Sequence, residues 1–248
     1  MRPTYRTFDK QLLWVTIFGV AMAFFESSIV VYLRALYYPE GFSFPLSHID
    51  PHIGITELIR EFFSLVMIVS VAALTSRYIL QRFAHFLYIF AVWDIFYYVF
   101  LKLVLGWPES LFTWDVLFLI PVTWSGPVIT PLIISLIMIG FALVIRHFNL
   151  RSGFRFYIEP REWGILVAGA LVVFVSFIWD YTRFVLGHLS WKMLREHDSL
   201  KEKLEDIVYQ YVPSGFNWLV FTLGVILLLV SLSMVYIRNR QRYNKDHF

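Results

Sequence analysis

Four long apolar runs of this chain each carry an acidic residue deep inside them: Glu26, Glu61, Asp94 and Asp180. Arg34, Arg60, Lys102 and Arg183 stand in the same runs. An ionised side chain at the centre of a bilayer costs about 2.5–3.5 kcal/mol on insertion scales, so such residues face each other or a wet cavity. That constraint outweighs every other feature of the sequence. It requires helices threaded so that their charged faces meet.

Composition fits a membrane bundle. The chain of 248 residues is 58% hydrophobic and only 16% charged, with a mean hydropathy of +0.65. A soluble domain would carry about 25% charged residues. The longest polar stretch, 187–213, leaves no room for a separate soluble domain. With no cysteine, the chain has no disulfides, thiolate metal sites or catalytic thiols. Arg2, Arg6 and Lys10 before an apolar run, with Ala21-Met22-Ala23 after it, imitate a signal peptide. The run continues through Phe24, Phe25 and 29–33, which favours a retained first helix.

Hydropathy predicts an all-α bundle of six transmembrane helices in one domain, over 12–36, 57–76, 83–105, 128–146, 163–187 and 216–237. Basic residues set the orientation. Most of the 21 Lys and Arg lie before helix one, between helices two and three, between four and five, and after helix six. The loop 37–56 has none, and the bases of loop 188–215 are offset by acids. This bias predicts both termini on the inner side. The basic ends read as orientation signals beside anionic lipid, not as nucleic-acid contacts. Two further outer elements are expected. Leu111–Ile120 is apolar but too short to span, and Pro121, Pro127 and Pro131 follow it. It reads as a re-entrant half-helix, or as an interfacial helix anchored by Trp107 and Trp114. Residues 190–211 read as an amphipathic helix with Leu194, Leu200, Leu204, Ile207, Val208 and Tyr211 on its apolar side. It either skims the surface or acts as a lid.

The charged residues share faces. Glu26, Val30 and Arg34 recur at four-residue spacing, as do Asp94, Tyr98 and Lys102. Ser176, Asp180, Arg183 and Gly187 form a stripe on helix five, and Arg60 lies three residues from Glu57. By helical rise, Glu26 and Asp180 lie about 22 Å and about 25 Å from the inner ends of their helices. Five acids, counting Glu57, face four bases, and Asp115 makes a sixth acid. Two readings stand. In one, a nearly balanced layer of ion pairs fixes helix register. In the other, an outward-facing cavity has Glu26, Glu61, Asp94 and Asp180 as cavity acids fit for acid–base chemistry. Arg34, Glu57, Arg60, Lys102, Asp115 and Arg183 would then join Tyr97 and Tyr98 as ligand-binding groups. His48, Asp50 and His52 alternate in the first outer loop, where imidazole and carboxylate suit a divalent metal. His85 and His147 make a poor case for haem, because two interfacial histidines are ordinarily polar helix ends.

The runs Phe25-Glu26 through Tyr32-Leu33-Arg34 to Tyr37-Tyr38-Pro39, Trp93 to Tyr98, and Trp107-Pro108 through Trp114-Asp115 to Pro121 resemble a group of uncharacterised bacterial integral membrane proteins. The resemblance covers about half of the chain. It implies a multi-pass protein of the bacterial cytoplasmic membrane and no particular activity. Function therefore stays open among three readings: a cavity protein binding a polar or cationic ligand or a metal, with intramembrane catalysis as an extension; a non-catalytic subunit of a larger membrane complex or a homo-oligomer; and a proton- or cation-coupled transporter. Transport is disfavoured by the nearly charge-free inner halves of helices two, three and five.

Overall fold

A computed structural model describes residues 5–149, 154–189 and 206–245. It contains six long helices: α1 (Tyr5–Tyr37), α2 (Pro51–Thr75), α3 (Ile79–Leu105), α4 (Ile129–Asn149), α5 (Pro160–His188) and α6 (Trp218–Lys245). Each is long and apolar enough to cross a membrane. The chain is thus built as a multi-pass membrane protein. Most helices run several residues past the apolar segments, because local signals set their ends. Asp50 caps α2 by accepting the His52 N–H at 2.8 Å, with Pro51 at the first helical position. Glu159 and Glu162 form a reciprocal capping box on α5, again followed by Pro160. Gly106 ends α3 in the left-handed region, with φ 69°.

Helix α3 is the hub. It packs against α1, α2 and α4, while α6 packs against α5 and α4. Two apolar cores result. One joins α1, α2 and α3 around Ile68 and Ile89. The other joins α3–α6 around Phe141, Ile145 and Val235. Helices α5 and α6 approach most closely where both lack side chains. A Cβ on Gly169 would lie 3.0 Å from the Leu228 nitrogen, and one on Gly224 would lie 2.9 Å from the Val173 nitrogen. Small residues at such crossings let two backbones pack in lipid, where no hydrophobic force drives helices together.

The connection between α3 and α4 departs from the sequence expectation. It is neither a half-helix nor an interfacial helix but an antiparallel hairpin, β1 (Trp114–Phe118) and β2 (Trp124–Pro127). Trp114 faces Pro127, Asp115 faces Gly126 and Val116 faces Ser125, with an irregularity before the Phe118–Trp124 pair. Residues 111–120 read as helical by hydropathy alone, yet Trp114, Val116 and Phe118 are aromatic or β-branched and suit a strand. Pairing also satisfies backbone groups that a truncated helix would leave open. Strand β2 rests on α5, and Gly126 allows the Phe216 ring to approach. The expected amphipathic helix over 190–211 falls largely outside the described residues. Its last part is one helical turn at 206–209, followed by the buried Tyr211.

Candidate ligand cavity

A cavity of about 210 Å³ opens between α1, α2, α3 and the hairpin. Each helix supplies one polar stripe. Helix α1 contributes Glu26, Val30 and Arg34; α2 contributes Glu57, Arg60 and Glu61; α3 contributes Asp94, Tyr97 and Tyr98; and β1 contributes Asp115. The i, i+4 spacing on α1 and α3 puts these groups on single faces. The first loop closes one side with Phe42, Leu46 and Ile49, and Trp93 and Phe118 add aromatic wall.

Arg60 is the central link. Its Nη1 donates to Glu26 Oε2, and its Nε donates to Glu57 Oε2 at 2.8 Å. Ser64, one turn along, donates to the other Glu26 oxygen. Glu61 turns the other way and accepts the Leu119 N–H from the end of β1 at 2.9 Å, which satisfies an edge amide that the hairpin leaves unpaired. Asp94 accepts from the Ser135 hydroxyl of α4 at 2.8 Å.

Arg34 and Asp115 form the second link. Arg34 Nη2 lies 3.5 Å from Asp115 Oδ1, and Tyr98 donates to Oδ2 at 3.2 Å. Burial pushes the Asp115 carboxyl above its ordinary range, and Arg34, Tyr98 and a backbone amide pull against that. The guanidinium also lies against two aromatic faces, 3.7 Å from the Trp107 centroid and 4.5 Å from that of Phe42. Nη1 of Arg34 is buried and has no hydrogen-bond partner among the described residues, and the same is true of Trp93 Nε1.

Three residues expected in this site lie elsewhere. Lys102 is exposed and donates to the carbonyls of Gly106 at 2.9 Å and Pro108 at 2.8 Å. It caps the end of α3, where unpaired carbonyls and the helix dipole attract a cation. Asp180 is buried under the segment before α6. It accepts from Tyr211 at 2.9 Å and from the Ser214 amide and hydroxyl at 3.0 and 2.6 Å, so it anchors a loop instead of lining the cavity. Arg183 is exposed and does not line the cavity. The alternating loop is not brought into a metal shell either. Asp50 caps α2, and the His48 ring lies 4.0 Å from that of Tyr209. Among the described residues, no three His, Asp or Glu side chains are grouped to hold a metal ion.

Two features escaped the sequence. Ser64 and Ser135 bind cavity carboxylates. Ser64 was findable one turn beyond Arg60, but Ser135 sits on a helix with an uncharged core and gives no periodic signal. At the opposite, basic end, the buried Glu162 receives two 2.8 Å hydrogen bonds from Arg238, and Arg238 also donates to the Tyr157 carbonyl at 2.7 Å. By sequence Arg238 reads as an orientation charge, yet it ties α5 to α6.

The redistribution changes the charge balance. With Lys102, Asp180 and Arg183 removed, the cavity keeps five carboxylates, Glu26, Glu57, Glu61, Asp94 and Asp115, against the two guanidiniums of Arg34 and Arg60. Comparison with family models, with characterised proteins and with solved structures gives no match for this chain.

Proposed function

We propose that this is a multi-pass protein of the bacterial cytoplasmic membrane whose charged cavity opens to the outer side and binds a small, polar, cationic ligand. The observation that carries the reading is the formal excess of acids over bases among the cavity side chains. Arg60 is committed to Glu26 and Glu57, and among the described residues neither Glu61 nor Asp94 has a guanidinium within hydrogen-bond distance. Burying such carboxylates without a cation is costly. The outer placement rests on the basic loops at the other end of the bundle. An organic cation is favoured over a metal because the carboxylates are spread over three helices and a strand, interleaved with aromatic rings that suit an ammonium.

What weighs against transport is the core between the cavity and the basic end. Along α1, α2 and α3 in that direction, Val15, Met22, Ala23, Ile68, Ala72 and Ile89 are buried and apolar. The test is binding of ethylamine and tetramethylammonium to the purified protein in detergent, read by calorimetry. Glu61→Gln and Asp94→Asn should each weaken binding about tenfold, the effect of one charge-assisted hydrogen bond. Unchanged affinity in both variants would overturn the reading.

A further inference from the structure

The acid excess sets the sign of the ligand, and the depth of the acids sets its length. Five carboxylates against two guanidiniums leave a formal excess of three, so a single ammonium would leave two carboxylates uncompensated in a buried wall. Arg60 takes up Glu26 and Glu57, and Arg34 lies beside Asp115, which leaves Glu61 and Asp94. Each of these has one oxygen occupied by a neutral donor, the Leu119 N–H or the Ser135 hydroxyl. The second oxygen of each has no donor among the described residues and is not sealed from the cavity. The two carboxyl groups lie at different depths. Helices α1 and α3 run parallel, with Thr16 bonded to Tyr88 and Gly19 against Val92, so Asp94 is level with residues 21–22 of α1. Arg60 and Ser64 both reach Glu26, which puts Glu61 level with residues 26–27. The offset of about five residues is about 7–8 Å at 1.5 Å per residue. Side chains lean towards the N-terminus of their helix, and α2 and α3 are antiparallel, so the two carboxyl tips diverge further. One ammonium spans acceptors no more than about 6 Å apart.

We infer that the ligand is a linear aliphatic diamine or polyamine, with one ammonium on Asp94 and the next on Glu61. This rests on the cavity reading above and narrows it from cations in general to chains that carry two or more ammoniums. A spacer of about four to six methylenes, with a hydrogen bond of about 2.9 Å at each end, covers the separation. The wall suits such a spacer. Tyr97 stands three residues beyond Asp94 towards the outer end, and Phe118 lines the same space, so rings are present for methylenes to pack on. The Tyr97 hydroxyl has no hydrogen-bond partner among the described residues and adds an acceptor between the two acids. The volume of about 210 Å³, below the range of about 300–1,000 Å³ usual for drug-sized ligands, suits a thin chain. A divalent metal would bring the same charge, but among the described residues no three acids or histidines are grouped to hold one.

The experiment titrates the purified full chain in detergent with two matched pairs, 1,4-diaminobutane against butylamine and 1,6-diaminohexane against hexylamine. Each pair shares its carbon chain and differs by one ammonium. In at least one pair the diamine should bind about tenfold or more tighter than its monoamine, the effect of a second charge-assisted hydrogen bond. Removing either acid weakens every cation through the field the acids share, but only the diamine loses an end contact. Glu61→Gln and Asp94→Asn should therefore each bring the diamine-to-monoamine affinity ratio towards the statistical value. The wild-type comparison needs no variant, so the inference stays open to refutation if neither variant folds. A diamine no more than about twofold tighter than its monoamine in both pairs, the statistical gain from two equal ends, overturns the inference and leaves single-cation binding intact. A high ratio that survives in both variants also overturns it, because the second ammonium then sits elsewhere. No binding of any amine overturns both this inference and the cavity reading.

Discussion

Replacing Arg60 by Met should cost about 3 kcal/mol of stability. Removing one partner of a buried ion pair costs about 3–5 kcal/mol, because a charge is left without compensation. Arg60 has two such partners, Glu26 and Glu57, but its side chain is 19% exposed, which argues for the low end. Glu26 is the group left stranded: its side chain is 4% exposed, and among the described residues only Ser64 would still donate to it. The link also matters for architecture. Helices α1 and α2 each pack chiefly on α3 and meet each other little, so the Arg60–Glu26 bond carries much of their direct attachment. The assay is a double-mutant cycle with Arg60→Met and Glu26→Gln, followed by reversible unfolding in mixed micelles. The coupling energy should be about 1–3 kcal/mol. The double variant should be more stable than Arg60→Met alone, because it no longer buries an unpaired carboxylate at position 26. Additivity of the two changes within about 0.5 kcal/mol would refute the argument.

Three further expectations can be measured on the same preparation. Gly224→Val should destabilise by about 1–3 kcal/mol through overpacking, because even a Cβ there meets Val173 Cγ2 at 2.7 Å, whereas Gly164→Ala, with nothing within 4 Å, should be neutral or slightly stabilising. Glu162→Gln should cost about 3 kcal/mol or more, since it leaves Arg238 facing an amide in place of a carboxylate with 1% exposure, and thermal unfolding should place the loss on the α5–α6 contact through non-additivity with Gly224→Val. Asp115 has a folded pKa above its unfolded value, so the folded chain holds that proton more tightly. Its contribution favours the fold at acid pH and is lost as pH rises from the ordinary carboxylate range through the raised folded value. The stability of the wild type relative to Asp115→Asn should therefore fall over that window, and a difference that is flat in pH would contradict the assignment.

The helices were legible because their signals are local. Apolar runs of bilayer length announce the helices, whereas the caps that set their ends, Asp50-Pro51 before α2 and Gly106 after α3, come from the structure. The stripe Glu26–Val30–Arg34 was legible for the same reason, since helical period alone puts it on one face. The hairpin was not, because a short apolar run reads alike as half-helix or strand until Trp114–Phe118 finds a partner in Trp124–Pro127. Lys102 and Asp180 show the limit most sharply. Both sit on expected polar stripes, yet one turns back to cap its own helix and the other is claimed by Tyr211 and Ser214.

By itself the sequence determined that six helices of this length must bring their buried charges together, since hydrocarbon offers those charges no other partner. It did not determine which charges meet. That was decided by the packing of α1 and α2 on α3, by a strand supplying Asp115 and by the loop that captures Asp180. The physical reason is that helical period fixes direction around one axis, whereas pairing depends on distances between axes. The tertiary structure thereby turned a nearly balanced layer into a cavity lined by five carboxylates and two guanidiniums.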